Sequence, residues 1–245
     1  MPEPAPALIS VQNVALSYRR QKSIFSQEKT RIWALHDVSF EVREGEKLGL
    51  IGRNGCGKST LMRILAKIFS PDRGTVTYSR PLHVQLLSLG VGFEGSLSGR
   101  ENAVLNGLLL GKSRKHILSR LEKIKEFSEL GEFFDLPVST YSTGMNMRLG
   151  FSVAMETEPE VVLIDEIFGV GDSGFALKSK KALREKFSSK GTVVLVSHQA
   201  NLVREFCDRV VWIEKGRTIM EGPTADGMEL YTAAAGRESG LGAIS

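Results

Sequence analysis

Cysteine is scarce here. The 245 residues hold two, Cys56 and Cys207, at no spacing that suggests a disulfide framework, so a reducing cytoplasm is the expected compartment. Long apolar runs are missing as well: nothing approaches the roughly 18–20 residues of a membrane span. The opening Met1-Pro2-Glu3-Pro4-Ala5-Pro6 lacks the basic and apolar regions of a signal peptide. Internal repeats and low-complexity tracts are also lacking. An acidic excess is absent, the net charge being +4, and mean hydropathy is −0.07. What remains is the profile of one large globular domain, or one with a subdomain, able to bury a sizeable core.

The charge is unevenly placed. Residues 19–33 carry Arg19, Arg20, Lys22, Lys29 and Arg31 against Glu28 alone, an excess of +4 that equals that of the whole chain. A solvated loop is one reading of this run. Contact with anionic lipid headgroups or an acidic partner surface is the other. Nucleic acid is not expected as a partner, because no aromatics interleave with the charges.

Hydropathy periods sketch the order of elements. Residues 8–18 and 38–43 alternate at period two and read as antiparallel strands. Pro71-Asp72-Arg73-Gly74 is a turn into a further strand, Thr75 to Ser79. Residues 98–130 read as helical, with Ile117, Leu121, Ile124 and Phe127 on one face. The last third alternates short apolar runs at 160–165, 192–197 and 209–213 with helical stretches near 174–188 and 199–207. That pattern suits a parallel sheet covered on both faces. Gly216 and Gly222 punctuate a hairpin, and the tail 236–245 reads as frayed.

The strongest chemical signal is Gly52-Arg53-Asn54-Gly55-Cys56-Gly57-Lys58-Ser59-Thr60, a complete GxxxxGKS phosphate loop between an apolar run, Leu48 to Ile51, and a helical pattern. A buried strand, a glycine turn and a helix start aim backbone N–H groups at one point, where an anion fits. Lys58 then reaches the β/γ-phosphates of a nucleoside triphosphate and Ser59 ligates Mg²⁺. Val161 to Glu166 is an apolar strand ending in two carboxylates. In a phosphate-loop fold Asp165 can hold Mg²⁺ through water, with Glu166 beside the attacking water. Ser142 is a good helix N-cap, and Gly144 permits close backbone approach to a ligand. A capped helix without further role fits those residues equally well. Val194 to Ser197 delivers His198 to the same sheet edge. Two readings of Cys56 stay open. In one it has a lowered pKa, lying beside a helix start and Lys58; in the other it is only a small filler.

Phosphate loop, Ser-x-Gly helix start, Asp-Glu and Ser-His strand end, in that order, resemble the ATPase subunits of ATP-binding-cassette (ABC) transporters over roughly residues 8–222. The resemblance implies a P-loop α/β core, mostly parallel and flanked by helices, with an antiparallel β-subdomain and a helical insert near 94–157. The whole of 1–245 is then one nucleotide-binding domain, with a short C-terminal tail at 223–245. It also implies that Tyr18 stacks on adenine, with Trp33 as a rival. Tyr141 to Met145, which includes Ser142, Thr143, Gly144 and Met145, stands as a variant of the family's LSGGQ signature. Asp172 couples two sites across a homodimer and His198 senses the γ-phosphate. The glutamine usual in the loop before the helical insert is not evident: Gln85 lies upstream, and Ser88 to Glu94 occupy the expected region. YSTGM, DEIFGVGD and LGVGFEGSLSGREN look like the exporters of bacterial surface polysaccharides. ATP, Mg²⁺, a membrane permease and a lipid-linked glycan cargo follow from that likeness, as does a place on the cytoplasmic face of the inner membrane.

Overall fold

A computed structural model describes residues 6–21, 29–87, 92–157, 159–165, 173–187, 191–197 and 199–241. Four short strands dominate its centre. β3 (Lys47–Ile51) lies between β7 (Thr192–Val196) and β8 (Arg209–Glu214), and β6 (Val161–Asp165) pairs with β7, all in parallel. Their apolar runs are buried almost without interruption, as expected of parallel strands covered on two faces. The antiparallel strands are β1 (Ala7–Gln21), β2 (Lys29–Arg43) and β4 (Arg73–Tyr78) at one end, and β9 (Arg217–Pro223) against β8. With β5 (Val84–Leu87) they complete one nine-stranded sheet, ordered β4-β1-β2-β9-β8-β3-β7-β6-β5. Gln85 is a buried residue of β5, and 88–91 lie outside the described residues.

The chain forms two compact units. The first comprises Met1–Leu86, Val161–Glu166 and Ser189–Ser245; the second comprises Leu87–Glu160 and Ile167–Ser188. The helices of the first unit are α1 (Lys58–Leu65), α6 (Ala200–Phe206) and α7 (Thr224–Leu241).

The second unit is helical: α2 (Gly99–Leu109), α3 (Arg114–Ser128), α4 (Thr143–Glu156) and α5 (Ser173–Phe187). Ile117, Ile124, Phe134 and Leu149 are fully buried at its centre, and Phe127, Phe151 and Phe175 pack ring against ring at 5.8–6.0 Å. Asn102 is fully buried. Its amide accepts from Glu94 N and donates to the carbonyls of Glu94, Leu97 and Ser98, which satisfies the approach to α2. None of the described helices is long and apolar enough to cross a membrane.

Three expectations need correction. The continuous helix over 98–130 is broken, because Ser113 turns its hydroxyl onto His116 N and starts α3 afresh. The tail read as frayed is helical through Leu241, in keeping with the helix-favouring Ala233-Ala234-Ala235 run. The described part of the basic run is strand rather than loop, with Arg19 opposite Arg31 and Arg20 opposite Thr30.

One buried ion pair ties β2, β3, β8 and β9. Arg209 meets Glu46 at 2.6 Å, both about nine-tenths buried, and also bonds the Glu41 carbonyl and Glu221. Burial holds the Glu46 carboxyl above its ordinary 4.5, against the lowering effect of an Arg43 backbone bond and of Arg209. A carboxylate raised in this way favours the fold below about 4.5, and that contribution is lost as pH rises through the folded value. Arg209→Met leaves the charge without its partner, which costs about 3–5 kcal/mol at about pH 7. Urea titrations should show the deficit shrinking towards about pH 5 as Glu46 takes up a proton. A deficit independent of pH would contradict this account.

Candidate functional site

The site begins where β3 ends. After Ile51 the chain turns through Gly52 (φ 149°), where a Cβ would lie 2.1 Å from the Ile213 carbonyl oxygen. It turns again at Gly57 (φ 107°), where a Cβ would meet Leu35 Cδ2 at 2.5 Å and the Ala34 oxygen at 2.7 Å. Neither position admits a side chain, so the loop backbone itself forms the surface. No side chain caps α1 and no acidic residue sits in its first turn. Its leading N–H groups are therefore left for an anion.

Lys58 is 6% exposed, and its ammonium donates to the carbonyls of Gly52 at 2.7 Å and Arg53 at 2.9 Å. Among the described residues no carboxylate forms an ion pair with it. Its ammonium also reaches Cys56 Sγ at 3.8 Å. A buried cation held by carbonyl dipoles and a neutral thiol favours an incoming negative charge. The cavity over the loop has a volume of about 440 Å³. Asn54, Gly55, Gly57 and Lys58 line it together with Ser59 and Thr60, and Tyr18 and Ala34 close its side.

The Tyr18 hydroxyl shares a 3.0 Å hydrogen bond with Thr60 Oγ1, and its ring meets Phe69 edge-on at 6.2 Å. Tyr18 thus lines the cavity with its hydroxyl anchored to Thr60. Trp33, the rival, lies beneath the Arg73 guanidinium and beside His36 and does not line the cavity. Sequence reasoning missed Ala34 and Phe69. Only the close packing of Gly57 on Ala34 and Leu35 reveals the first, and no sequence pattern marks the second.

Parallel register sets Asp165 opposite Val196, and Val196 opposite Leu50, so Asp165 and the loop stand at the same edge of the sheet. Asp165 Oδ1 is buried and has no hydrogen-bond partner among the described residues. An orphaned carboxylate oxygen at that edge, with the exposed Ser59 hydroxyl in the cavity, fits a hydrated Mg²⁺. Among the described residues no cluster of three or more His, Cys, Asp or Glu offers a fully protein-made metal cage. Glu166, Asp172 and His198 lie outside the described residues.

In the helical unit Ser142 caps α4, accepting from Met145 N at 3.2 Å. Ser142 and Thr143 are exposed, and a Cβ at Gly144 would meet nothing nearer than Ser142 Oγ at 3.8 Å. This leaves an open helix start. Met145, half-buried, packs on the unit's core.

The thiol of Cys56 reverses one expectation. It is 5% exposed, and burial pushes its pKa up from 9.0, outweighing the Lys58 ammonium that lowers it. It is therefore a neutral thiol near pH 7. Iodoacetamide labelling mapped by mass spectrometry should rise with a midpoint above pH 9. MgATP should slow that labelling and leave Cys207 unchanged. A midpoint below pH 9 would contradict the buried setting.

Comparison with known proteins places this geometry. The sequence pattern of the ABC transporter family matches residues 35–169. The O-antigen export system ATP-binding protein RfbB of Klebsiella pneumoniae is 48% identical over 202 residues, covering 82% of this chain and 81% of that protein. The teichoic acids export ATP-binding protein TagH of Lactococcus lactis subsp. lactis is 42% identical over 191 residues, 78% of this chain but 41% of its own length. Among solved structures, the ATP binding subunit of an ABC transporter superposes with a TM-score of 0.76 at 22% identity, covering 92% of this chain and 93% of that one. An ATP-binding cassette bound to ADP and Pi superposes with a TM-score of 0.73, also at 22% identity, covering 88% and 98%. Both share the fold. The chain belongs to the ABC transporter family and is an ATPase of that family.

Proposed function

We propose that this chain is the ATP-hydrolysing subunit of an exporter that moves a lipid-linked cell-surface polysaccharide through a separate membrane permease. The observation that carries the reading is the 48% identity, over four-fifths of both chains, to a protein named for O-antigen export. The cargo class also rests on the teichoic-acid relative and on the YSTGM and DEIFGVGD segments.

In this reading residues 1–245 act as one nucleotide-binding domain on the cytoplasmic face of the inner membrane, and the helical insert, about 94–157, passes motion to the permease. Two copies enclose two nucleotides. Gly52 to Thr60 of one chain cradles the phosphates, and Ser142 and the Gly144 N–H of the other cap the γ-phosphate. Thr143 and Met145 shape that cap. Tyr18 stacks on the adenine. Mg²⁺, held by Ser59 and through water by Asp165, neutralises charge on the phosphates when bound. Glu166 orients or deprotonates the attacking water, Lys58 neutralises developing charge, and His198 and Asp172 sense the γ-phosphate and couple the two sites. ATP favours the closed dimer and hydrolysis the open one, a population shift that drives the permease.

A hybrid dimer tests the shared site. Ser142→Arg and Lys58→Ala should each abolish turnover alone, while Ser142→Arg spares nucleotide binding by the isolated subunit. Mixed together they form one intact site and should recover ATPase activity. No recovery in demonstrated heterodimers would mean that the site is not shared or that both must fire together. Ser142→Arg binding ATP as weakly as Lys58→Ala would overturn the arrangement. Deleting the chain's gene should strip the polysaccharide from the cell surface; an unchanged surface would overturn the cargo.

A further inference from the structure

The transport reading leaves the basic run unexplained. Arg19 and Arg31 are exposed and sit directly opposite each other on β1 and β2. Like charges in that position cost a sheet stability. Strand alternation sets Ser17, Arg19, Arg31 and Trp33 on one face, away from Tyr18 and the nucleotide cavity. Arg73, exposed on the approach from β4, lies with its guanidinium 5.2 Å from the Trp33 ring.

Among the described residues one acid, Asp72, stands with them. Asp72 Oδ2 accepts from Ser17 N and Ser17 Oγ, both at 2.7 Å, so one of its oxygens is already committed. Those bonds hold its carboxyl below the usual range, with smaller help from Arg31 and Arg19. Among the described residues Arg19, Arg31 and Arg73 form no ion pair. Among the described residues, three arginines on three strands thus stand beside a single acid on this face.

We propose that this outer face of the β1–β2–β4 ribbon, with Arg19, Arg31 and Arg73 beside Trp33, is a docking surface for the phosphate headgroups of anionic lipids. Guanidinium forks match phosphate oxygens two at a time. A half-exposed tryptophan beside them suits the headgroup layer, where aromatic rings with one polar edge concentrate. A basic sheet surface fits a plane of repeated anions better than a single acidic peptide. Each arginine then adds attraction that falls away within a Debye length.

Co-sedimentation with vesicles tests this, without nucleotide or permease. The full chain should bind vesicles that contain phosphatidylglycerol and ignore pure phosphatidylcholine, and salt should release it. Each arginine is worth about fivefold, so Arg19→Gln/Arg31→Gln/Arg73→Gln should bind about 100-fold more weakly. Arg114→Gln/Lys115→Gln/Lys123→Gln removes the same charge from exposed positions on α3 and should bind as wild type. ATP turnover and circular dichroism of the arginine variant should match wild type, which separates lost docking from misfolding. If wild type itself lacks turnover, the ATPase reading fails while the vesicle result stands.

Equal binding to neutral vesicles, or an arginine variant that binds as wild type, would overturn the proposal. So would equal losses in both triple variants, since net charge alone would then explain them. A wild type that ignores all vesicles, while the arginine variant loses a membrane partner in neutral detergent, would overturn it in favour of an acidic protein surface.

Discussion

Everything at this site is placed by one turn, the seven residues from Gly52 to Lys58 that join a buried strand to a helix. β3 is gripped by β7 on one side and β8 on the other, so its last residue, Ile51, cannot shift. A Cβ on the first glycine would strike the Ile213 carbonyl and one on the last would strike Ala34 and Leu35, so both positions require glycine. The same parallel register carries Asp165 to the edge where the loop stands. Packing from the sheet and from Ala34 and Leu35 thus shapes the loop's backbone, and a backbone fixed by packing lowers the ordering cost of binding.

Electrostatics complete what sterics begin. Lys58 is a buried cation whose partners are two of the loop's carbonyls and the Cys56 thiol, and α1 starts without a cap or an acid. Both deficits are met by an anion of several charges. The Cys56 thiol shows which effect dominates at this spot. Loss of water raises its pKa further than the neighbouring ammonium lowers it.

Much of this was legible beforehand, for identifiable reasons. The phosphate loop has fixed spacing because the turn needs glycine where there is no room for a Cβ. β6 and β7 are runs of apolar residues because both their faces are covered. The Ser142 cap was readable because a hydroxyl before a helix has one obvious acceptor role. Other features depend on contacts distant in sequence. The break at Ser113 is set by a cap inside a continuous helical pattern. Phe69 meets Tyr18 across some fifty residues, and the Cys56 shift required knowing its burial. Choosing between Tyr18 and Trp33 needed the alternation of a strand whose length the charge run concealed. Glu166, Asp172 and His198 stay as the sequence reading left them, outside the described residues.

The central claim is that the loop's backbone shape, and not merely its lysine, makes the nucleotide site. Equilibrium binding of MgATP to Gly57→Ala measures it most directly. A methyl at φ 107°, driven towards Leu35 and the Ala34 carbonyl, must displace the loop. With circular dichroism and elution volume unchanged, MgATP affinity should fall at least tenfold, a loss of about 1.4 kcal/mol or more. A correctly folded Gly57→Ala chain that binds MgATP as tightly as wild type would contradict the account.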